Sequence, residues 1–554
     1  MKKIKIAIIA GAVAISGFVS FGFVDNYFEL SKNLDIFATL YKEVNTYYVD
    51  ETKPGELMKT GIDAMLKSLD PYTNFIPESQ IEDFKFMTTG QYGGIGALIH
   101  KDGDHVVISE PYEGFPAYNA DLKAGDILIE VDGKKVSGKS TSEISEALKG
   151  QPNTVVKLLI ERPGTKGNLN IDLTRKEIKI DDVPYAGMLN EKVGYIRLTS
   201  FTQTASKQVI DALNKLKKEN NAQSIVFDLR GNGGGLLNES INIVNAFVPK
   251  GTMVVQTKGK ISEWDATYRT LNAPVDTEIP VVVLVDDHSA SASEIVSGSL
   301  QDLDRAVIVG DRTFGKGLVQ QTRRLSYNAQ LKVTVAKYYI PSGRCIQKID
   351  YAHRDKDGDA PIVADSLIVP YKTLVNKRTV YDGKGINPDI KVEERDASNI
   401  TAVLVTKYHI FDYATQYRLN HESIAPASEF HLTDKEYDDF IAYLSDKNIT
   451  YETETEKQLK KLKEVATKEK YFQLADEEYK SLEDKLVLDK SGDLMKFKDE
   501  IKEILENEII SRYYFQKGRI QASLNNDPTV SKAIEILGNK EIYTGILKGT
   551  YTKN

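Results

Sequence analysis

Ser289-Ala290-Ser291-Ala292-Ser293-Glu294 follows the apolar run Val281-Val282-Val283-Leu284-Val285 and precedes Ile295, Val296 and Leu300. Five consecutive apolar residues read as a strand buried on both faces. The apolar residues after the serines read as a helix facing a core. A serine at such a strand-to-helix turn can expose its hydroxyl at the end of a sheet. The helix start adds unpaired N–H groups and a positive dipole end, both suited to the oxyanion of acyl transfer. The same serines would also serve as helix N-caps, so this stretch alone leaves both readings open.

Working outward, Val193–Leu198, Ser224–Leu229 and Ala306–Val309 repeat the buried-strand pattern, and Val209, Leu213 and Leu216 between them share a helix face. The alternation implies a largely parallel sheet covered by helices, an α/β fold. Leu331 to Ile340 continues the strand content. Upstream, residues 89–176 read as a small strand-rich module. Its strands are Val106–Ile108, Ile127–Val131, Val155–Ile160 and Leu169–Leu173, and its amphipathic helix runs from Ser140 to Lys149. Before it, Leu40, Tyr41, Val44 and Tyr48 recur at helix spacing, and a second helix carrying Leu57, Ile62 and Met65 stops at Leu69-Asp70-Pro71. From Asn399 the chain is charged and helical, with Lys and Glu dominating residues 452–508 as solvated helix faces. The expected organisation is therefore a leader over 1–26, a helical region over 27–88, the β-module over 89–176, the α/β core over 177–398 and a charged helical region over 399–554.

The chain's 554 residues exceed what one hydrophobic core supports. A net charge of −8 gives none of the basic footprint of a nucleic-acid partner. The single cysteine, Cys345, excludes an intrachain disulfide and a multi-cysteine metal site. Lys2, Lys3 and Lys5 precede an uncharged apolar run from Ile6 to Val24. That order is expected of an export signal or of a retained membrane anchor, with the remainder exported to a periplasmic or other extracytoplasmic space.

Two glycine-rich stretches complete the chemistry. Gly310-Asp311-Arg312-Thr313-Phe314-Gly315-Lys316-Gly317 has the outline of a phosphate-binding loop, but Gly317 stands where such a loop needs a magnesium-binding hydroxyl, and an extended segment follows instead of a helix. Asp228-Leu229-Arg230-Gly231-Asn232-Gly233-Gly234-Gly235 ends a strand in a turn whose backbone can approach a ligand closely. His288 would be the base of a Ser-His pair, but three residues along one turn it is badly placed to point at Ser291.

Together the three stretches resemble the carboxyl-terminal processing, or tail-specific, serine peptidase family. The likeness extends to Tyr48-Val49-Asp50, Leu69-Asp70-Pro71-Tyr72-Thr73, Lys337-Tyr338-Tyr339-Ile340-Pro341-Ser342-Gly343-Arg344 and Gly385-Ile386-Asn387-Pro388-Asp389-Ile390, covering roughly residues 35 to 392. It implies a crotonase-like peptidase core with an inserted PDZ domain and helical ends. It also implies Ser291 as nucleophile, Lys316 as general base 25 residues later, and Gln320 as the residue that orients the lysine. Ala292 and Gly234 would supply the oxyanion hole, with Phe314 and the valine strands desolvating the lysine. Gly94-Ile95-Gly96-Ala97 would be the carboxylate-binding loop of the PDZ domain, either capturing a substrate's C-terminus or gating the active site. The implied partners are protein or peptide substrates with free C-termini and a regulatory adaptor, with no cofactor and no metal. Two stretches depart from the family: an insertion over Asp350–Asp382 and the extension beyond Asn399.

Overall fold

The computed structural model describes residues 27–551 apart from 357, 394–396, 448 and 487–489. The apolar run over residues 6–24 lies outside the described residues, among which no helix is long and apolar enough to cross a membrane. The chain divides into two compact units. One holds residues up to Phe75 together with Leu331–Val333, and the other holds Ile76–Gln330 and Thr334 onward.

In the first unit, α1 (residues 27–47) is followed by α2 (Pro54–Lys67). Pro54 sits in the first turn of α2, where its missing N–H costs nothing. Beyond α2, Asp70 turns the chain by accepting from the amides of Tyr72 (2.8 Å) and Thr73 (2.7 Å).

The second unit opens with α3 (Ile81–Thr89) and a small β-domain. Strands β1 (Gln91–Gly94) and β7 (Lys176–Lys179) pair at its neck. Between them β2 (Ala97–Asp102), β3 (His105–Pro111), β4 (Ile127–Val131), β5 (Val155–Glu161) and β6 (Asn168–Thr174) form an antiparallel sheet in the order β2-β3-β4-β5-β6. Helix α4 (Thr141–Leu148) begins at Ser140, whose hydroxyl and amide exchange hydrogen bonds with Glu143 in a capping box, and buries Ile144 and Leu148 against this sheet.

The central sheet consists of β8 (Tyr185–Met188), β9 (Val193–Arg197), β10 (Ser224–Asp228), β12 (Val281–Val285), β13 (Val307–Gly310) and β16 (Ile390–Lys391) in that spatial order. All neighbours from β9 onward are parallel. Helices α5 (Ala205–Lys218), α6 (Leu237–Phe247) and α7 (Ala292–Asp302) connect these strands. Strand β11 (Met253–Gly259) leaves this sheet and pairs with β15 (Gln330–Tyr339), which follows β14 (Leu318–Arg324).

Side chains alternate across the strands, so two register rows face opposite ways. Ile196, Phe227, Val283 and Ile308 pack with α5, α6 and α7. Tyr195, Val226, Val282 and Val307 face the other way and are covered by residues from the far C-terminus. That cover comes from Ile520 and Leu524, then Val530, Ala533 and Ile536 of α13, and finally Tyr543 and Ile546 of α14. These belong to the C-terminal series α8 (Asn399–Thr406), α9 (His409–Asn420), α10 (Asp434–Leu444), α11 (Glu454–Lys468), α12 (Lys498–Ser523), α13 (Pro528–Gly538) and α14 (Lys540–Lys548). Helix α12 is broken at Phe515, whose φ of 54° and ψ of −161° are not helical.

The β-domain rests on these helices. His100 stacks on Tyr408 at 4.1 Å, Tyr118 meets Phe515 edge-on at 5.3 Å, and Glu110 pairs with Arg519 at 3.2 Å. Alongside this contact opens a cleft of about 910 Å³, walled by Tyr118, Arg162, Arg418, Arg512 and Phe515 among others, and none of Ser291, Lys316 or Gln320 lines it.

Truncating Ile536 tests the second face of the sheet. Ile536→Ala should lower the unfolding free energy by about 2–5 kcal/mol in urea titration. Lys457→Ala on the exposed α11 should stay within about 0.5 kcal/mol of wild type. Equal stability of the two variants would show that α13 is not part of the core.

Candidate active site

Strand β12 ends at Val285, and the next residues are arranged by one carboxylate. Asp286 accepts from the amides of His288 (3.1 Å) and Ser289 (2.8 Å), from the Ser289 hydroxyl (3.0 Å), and across the sheet from the amide of Gly231 (2.8 Å). The chain then reaches Ser291 with φ 55° and ψ −109°, a conformation non-glycine residues seldom adopt, and enters α7. This is a sharp strand-turn-helix junction with a serine at its apex.

The three serines of the turn are not equivalent. Ser289 is fully buried, and its hydroxyl also donates to the carbonyl of Leu229 at 2.9 Å. Ser293 is fully buried, and its hydroxyl donates to the carbonyl of Asn232 at 2.8 Å. Both are used to fasten the glycine turn. Ser291 keeps partial exposure.

Glu294, fully buried, gathers the remaining parts. Its Oε2 accepts from the Ser291 amide (2.9 Å) and from the Lys316 amide (2.9 Å). Its Oε1 accepts from the Thr313 hydroxyl (2.6 Å) and the Gly315 amide (2.7 Å). Burial pushes this carboxyl above its ordinary range, and the four donors pull against that. The structure thus brings Ser291 and Lys316 to one carboxylate. Beyond the lysine, Gln320 on β14 donates from Nε2 to the Thr334 hydroxyl at 3.1 Å. The Phe314 amide donates to the Ser289 carbonyl at 3.1 Å, but its ring is 42% exposed, so it does not form the buried wall expected of it.

The glycine turn lies directly against Ser291. A Cβ on Gly234 would fall 2.9 Å from both the Ser291 Cβ and the Ala292 nitrogen, and φ of 98° independently favours glycine there. The amide of Gly234 is already engaged, donating to the Asn232 side chain at 2.9 Å. Among the described residues the amides of Ala292, Gly233 and Gly235 donate to no group. Gly234 therefore lets the turn approach Ser291 closely, and the unengaged donors are its neighbours. Nothing in the sequence distinguished these glycines. The turn is entered through Asp228, which is fully buried and takes hydrogen bonds from Tyr195, Arg197 and Arg230. Burial would raise its pKa, but the two guanidiniums hold it down at about 2.

His288 is mostly exposed and paired with Asp287 at 2.6 Å. Asp286, Asp287 and His288 are the one grouping of potential metal ligands among the described residues, yet both oxygens of Asp286 already accept backbone amides.

In the β-domain, Ile95 is buried and Gly96 adopts φ 73°, where a Cβ would meet the Phe115 Cβ at 2.6 Å. The amides of Ile95 and Gly96 donate to nothing among the described residues, while their carbonyls accept from Ala117 and Tyr112. Gly94 ends β1 and Ala97 starts β2, the terminal strand of its sheet.

Comparison with known proteins matches Peptidase family S41 over residues 192–353 and a PDZ domain over residues 107–162. The C-terminal helical domain of probable PDZ-proteases matches over residues 400–537. The carboxy-terminal processing protease CtpA of Bacillus subtilis is 33% identical, over 66% of this chain and 82% of the relative. The chain belongs to the carboxy-terminal processing protease family. A carboxy-terminal-processing protease of Bartonella bacilliformis is 34% identical, over 57% of this chain and 73% of its own. The solved photosystem II D1 C-terminal processing protease is 28% identical, covers 64% of this chain and 92% of its own, and superposes with a TM-score of 0.34. The α/β core is thus an S41 peptidase core, the β-domain a PDZ domain, and the extension beyond Asn399 a helical domain found with such proteases.

Glu294 can be tested directly. Glu294→Gln replaces an acceptor oxygen with a donor and breaks part of the four-donor set. Peptide hydrolysis should fall by about 100-fold or more, consistent with the loss of about 3 kcal/mol of buried charge-assisted bonding. Turnover within about threefold of wild type would show that the carboxylate does not organise this protease's site.

Proposed function

We propose that this protease is an exported serine endopeptidase that cleaves proteins near their C-termini, with Ser291 attacking the peptide carbonyl and Lys316 as general base. The observation that carries this reading is the shared Glu294 oxygen, which receives the amides of both residues at 2.9 Å. Ser291 is also the one serine of its turn that is not fully buried.

A serine hydroxyl needs a base to become an effective nucleophile, and lysine serves only when neutral. Lys316 in its neutral form takes the Ser291 proton as Oγ bonds to the scissile carbon. The resulting lysinium returns that proton to the leaving amine as the C–N bond breaks. Water then repeats the sequence on the acyl-enzyme, releasing the new C-terminus and free Ser291. Gln320 directs the lysine amine from β14. The tetrahedral oxyanion faces the amide of Ala292 and an unengaged amide of the glycine turn, which Gly234 allows to lie close against Ser291.

The PDZ domain supplies the selection. A free terminal carboxylate fits the unengaged amides of Ile95 and Gly96, and the substrate chain extends β2 as an added strand. Residues 6–24 direct export, as a cleaved signal or as an anchor that keeps the protease at the membrane. An adaptor that presents substrates is compatible with this arrangement.

Ser291→Ala and Lys316→Ala should each abolish casein and peptide cleavage while leaving thermal unfolding unchanged, and Gly234→Ala should abolish cleavage with a lowered melting temperature, since its Cβ would crowd Ser291 and Ala290 at a φ of 98°. Wild-type cleavage by Ser291→Ala would overturn the assignment.

Selection by the PDZ domain is read from matched substrates with a free or an amidated C-terminus. Amidation removes charge-assisted bonds worth about 1.5–3 kcal/mol each. Cleavage at limiting substrate should therefore drop about tenfold or more. Gly96→Val, which cannot hold φ 73°, should erase the difference. Equal rates for acid and amide in the wild type would remove the PDZ domain from C-terminal recognition.

A further inference from the structure

Among the described residues the C-terminal helical domain reaches the glycine turn through one charged contact. Arg230, the residue before Gly231, donates to the Asp228 carboxylate from its backbone amide (2.9 Å), Nε (3.0 Å) and Nη2 (2.7 Å). The same Nη2 lies 2.7 Å from Oδ2 of Asp527. Asp527 is itself fixed. Its Oδ1 accepts from the amides of Thr529 (2.8 Å) and Val530 (3.0 Å) as the N-cap of α13, and α13 is locked under the sheet by Val530, Ala533 and Ile536.

Charge balance makes this contact matter. Asp228 also receives Arg197 at 3.3 Å and the Tyr195 hydroxyl at 2.6 Å, so two guanidiniums compete for one fully buried carboxylate. Asp527 is the second carboxylate that balances the second cation, and the Arg230 and Asp527 side chains are only 14% and 15% exposed. Without it, one cation is left undercompensated in a poorly solvated place, where the penalty is large and is relieved by movement. The group free to move is Arg230, and it leads into the turn that holds Gly234 against Ser291.

We propose that Asp527 is a positioning residue for peptide hydrolysis: by holding Arg230 it sets the glycine turn opposite Ser291, which makes the C-terminal helical domain part of the active-site machinery. This rests on Ser291 being the nucleophile.

The test separates the two jobs of Asp527 in the full-length protease. Asp527→Asn keeps a good helix N-cap but loses the charge. Asp527→Glu keeps the charge but is a poor cap. Each is assayed for melting temperature, for kcat and KM on a peptide, and for the rate at which a fluorophosphonate labels the active-site serine, with Ser291→Ala in parallel. The asparagine variant should melt above the glutamate variant, yet label and turn over about tenfold more slowly than wild type with KM little changed. The glutamate variant should melt lower and work faster than the asparagine variant. Wild-type labelling and kcat in Asp527→Asn would overturn the proposal, as would activity that simply follows melting temperature across both variants. Loss of labelling in Ser291→Ala upholds the nucleophile whichever way the Asp527 variants fall, whereas its persistence would fault the nucleophile itself.

Discussion

A carboxylate with no access to water must be fully hydrogen-bonded or it destabilises the fold by several kcal/mol. Glu294 meets that demand with donors from residues 291, 313, 315 and 316, so its burial obliges two distant loops to stay together. Asp286 does the same between the serine turn and Gly231, while the neutral Asn232 side chain accepts the Gly234 amide and donates to the Leu198 carbonyl. Of the three loops, the serine turn carries a strained backbone at Ser291. The buried acceptors turn the three into one body, because losing any one donor leaves part of a buried charge unpaired.

The PDZ domain is attached by different physics. Aromatic faces and edges do most of the holding, with His100 on Tyr408 and Tyr118 on Phe515. Gly125 adds close fit, since a Cβ there would come within 2.5 Å of the Thr415 methyl. An ionic contact, Glu110 with Arg519, sits at the margin of burial, and desolvation pushes the Glu110 carboxyl upward despite its partner. Such a joint is directional and well packed, yet it lacks the multiple buried acceptors that weld the catalytic loops.

Much of this was legible in the sequence. The valine-rich strands, the capped helix at Ser140 and the serine turn announced themselves by period and composition, because burial on both faces leaves no other pattern for β10 and β12. The expectation that Ser291 and Lys316 act together came from spacing within a family, and the structure brings their amides to one Glu294 oxygen. Other features were hidden, each for a reason. Phe314 looked like part of a buried wall because it is apolar, but its backbone is tied to Ser289 in a way that leaves the ring half outside. The role of Glu294 was masked because a glutamate three residues after a serine also reads as half of a helix capping box. Gly234 was expected to donate its amide, and only the orientation of the Asn232 side chain shows that the amide is taken. The C-terminal helices were read as a solvated appendage from the charges of residues 452–508. The apolar stripe of Val530, Ala533 and Ile536 is short, and its partner lies more than 200 residues away, where periodicity has no reach.

That separation gives the protein a timetable. Val226, Val282, Leu284, Val307 and Val309 line one face of the sheet, and the buried helical residues that cover them lie between Ile520 and Ile546. During synthesis at about 5–20 residues per second, the strands exist for on the order of tens of seconds before their cover is made. Contacts of such long range also form slowly, since the intervening chain must first be closed into a loop. For that interval the nascent chain carries an apolar, hydrogen-bonded strand surface of the kind that chaperones retain. A central sheet whose cover lies more than 200 residues beyond its strands cannot complete that side of its core until those residues have been made.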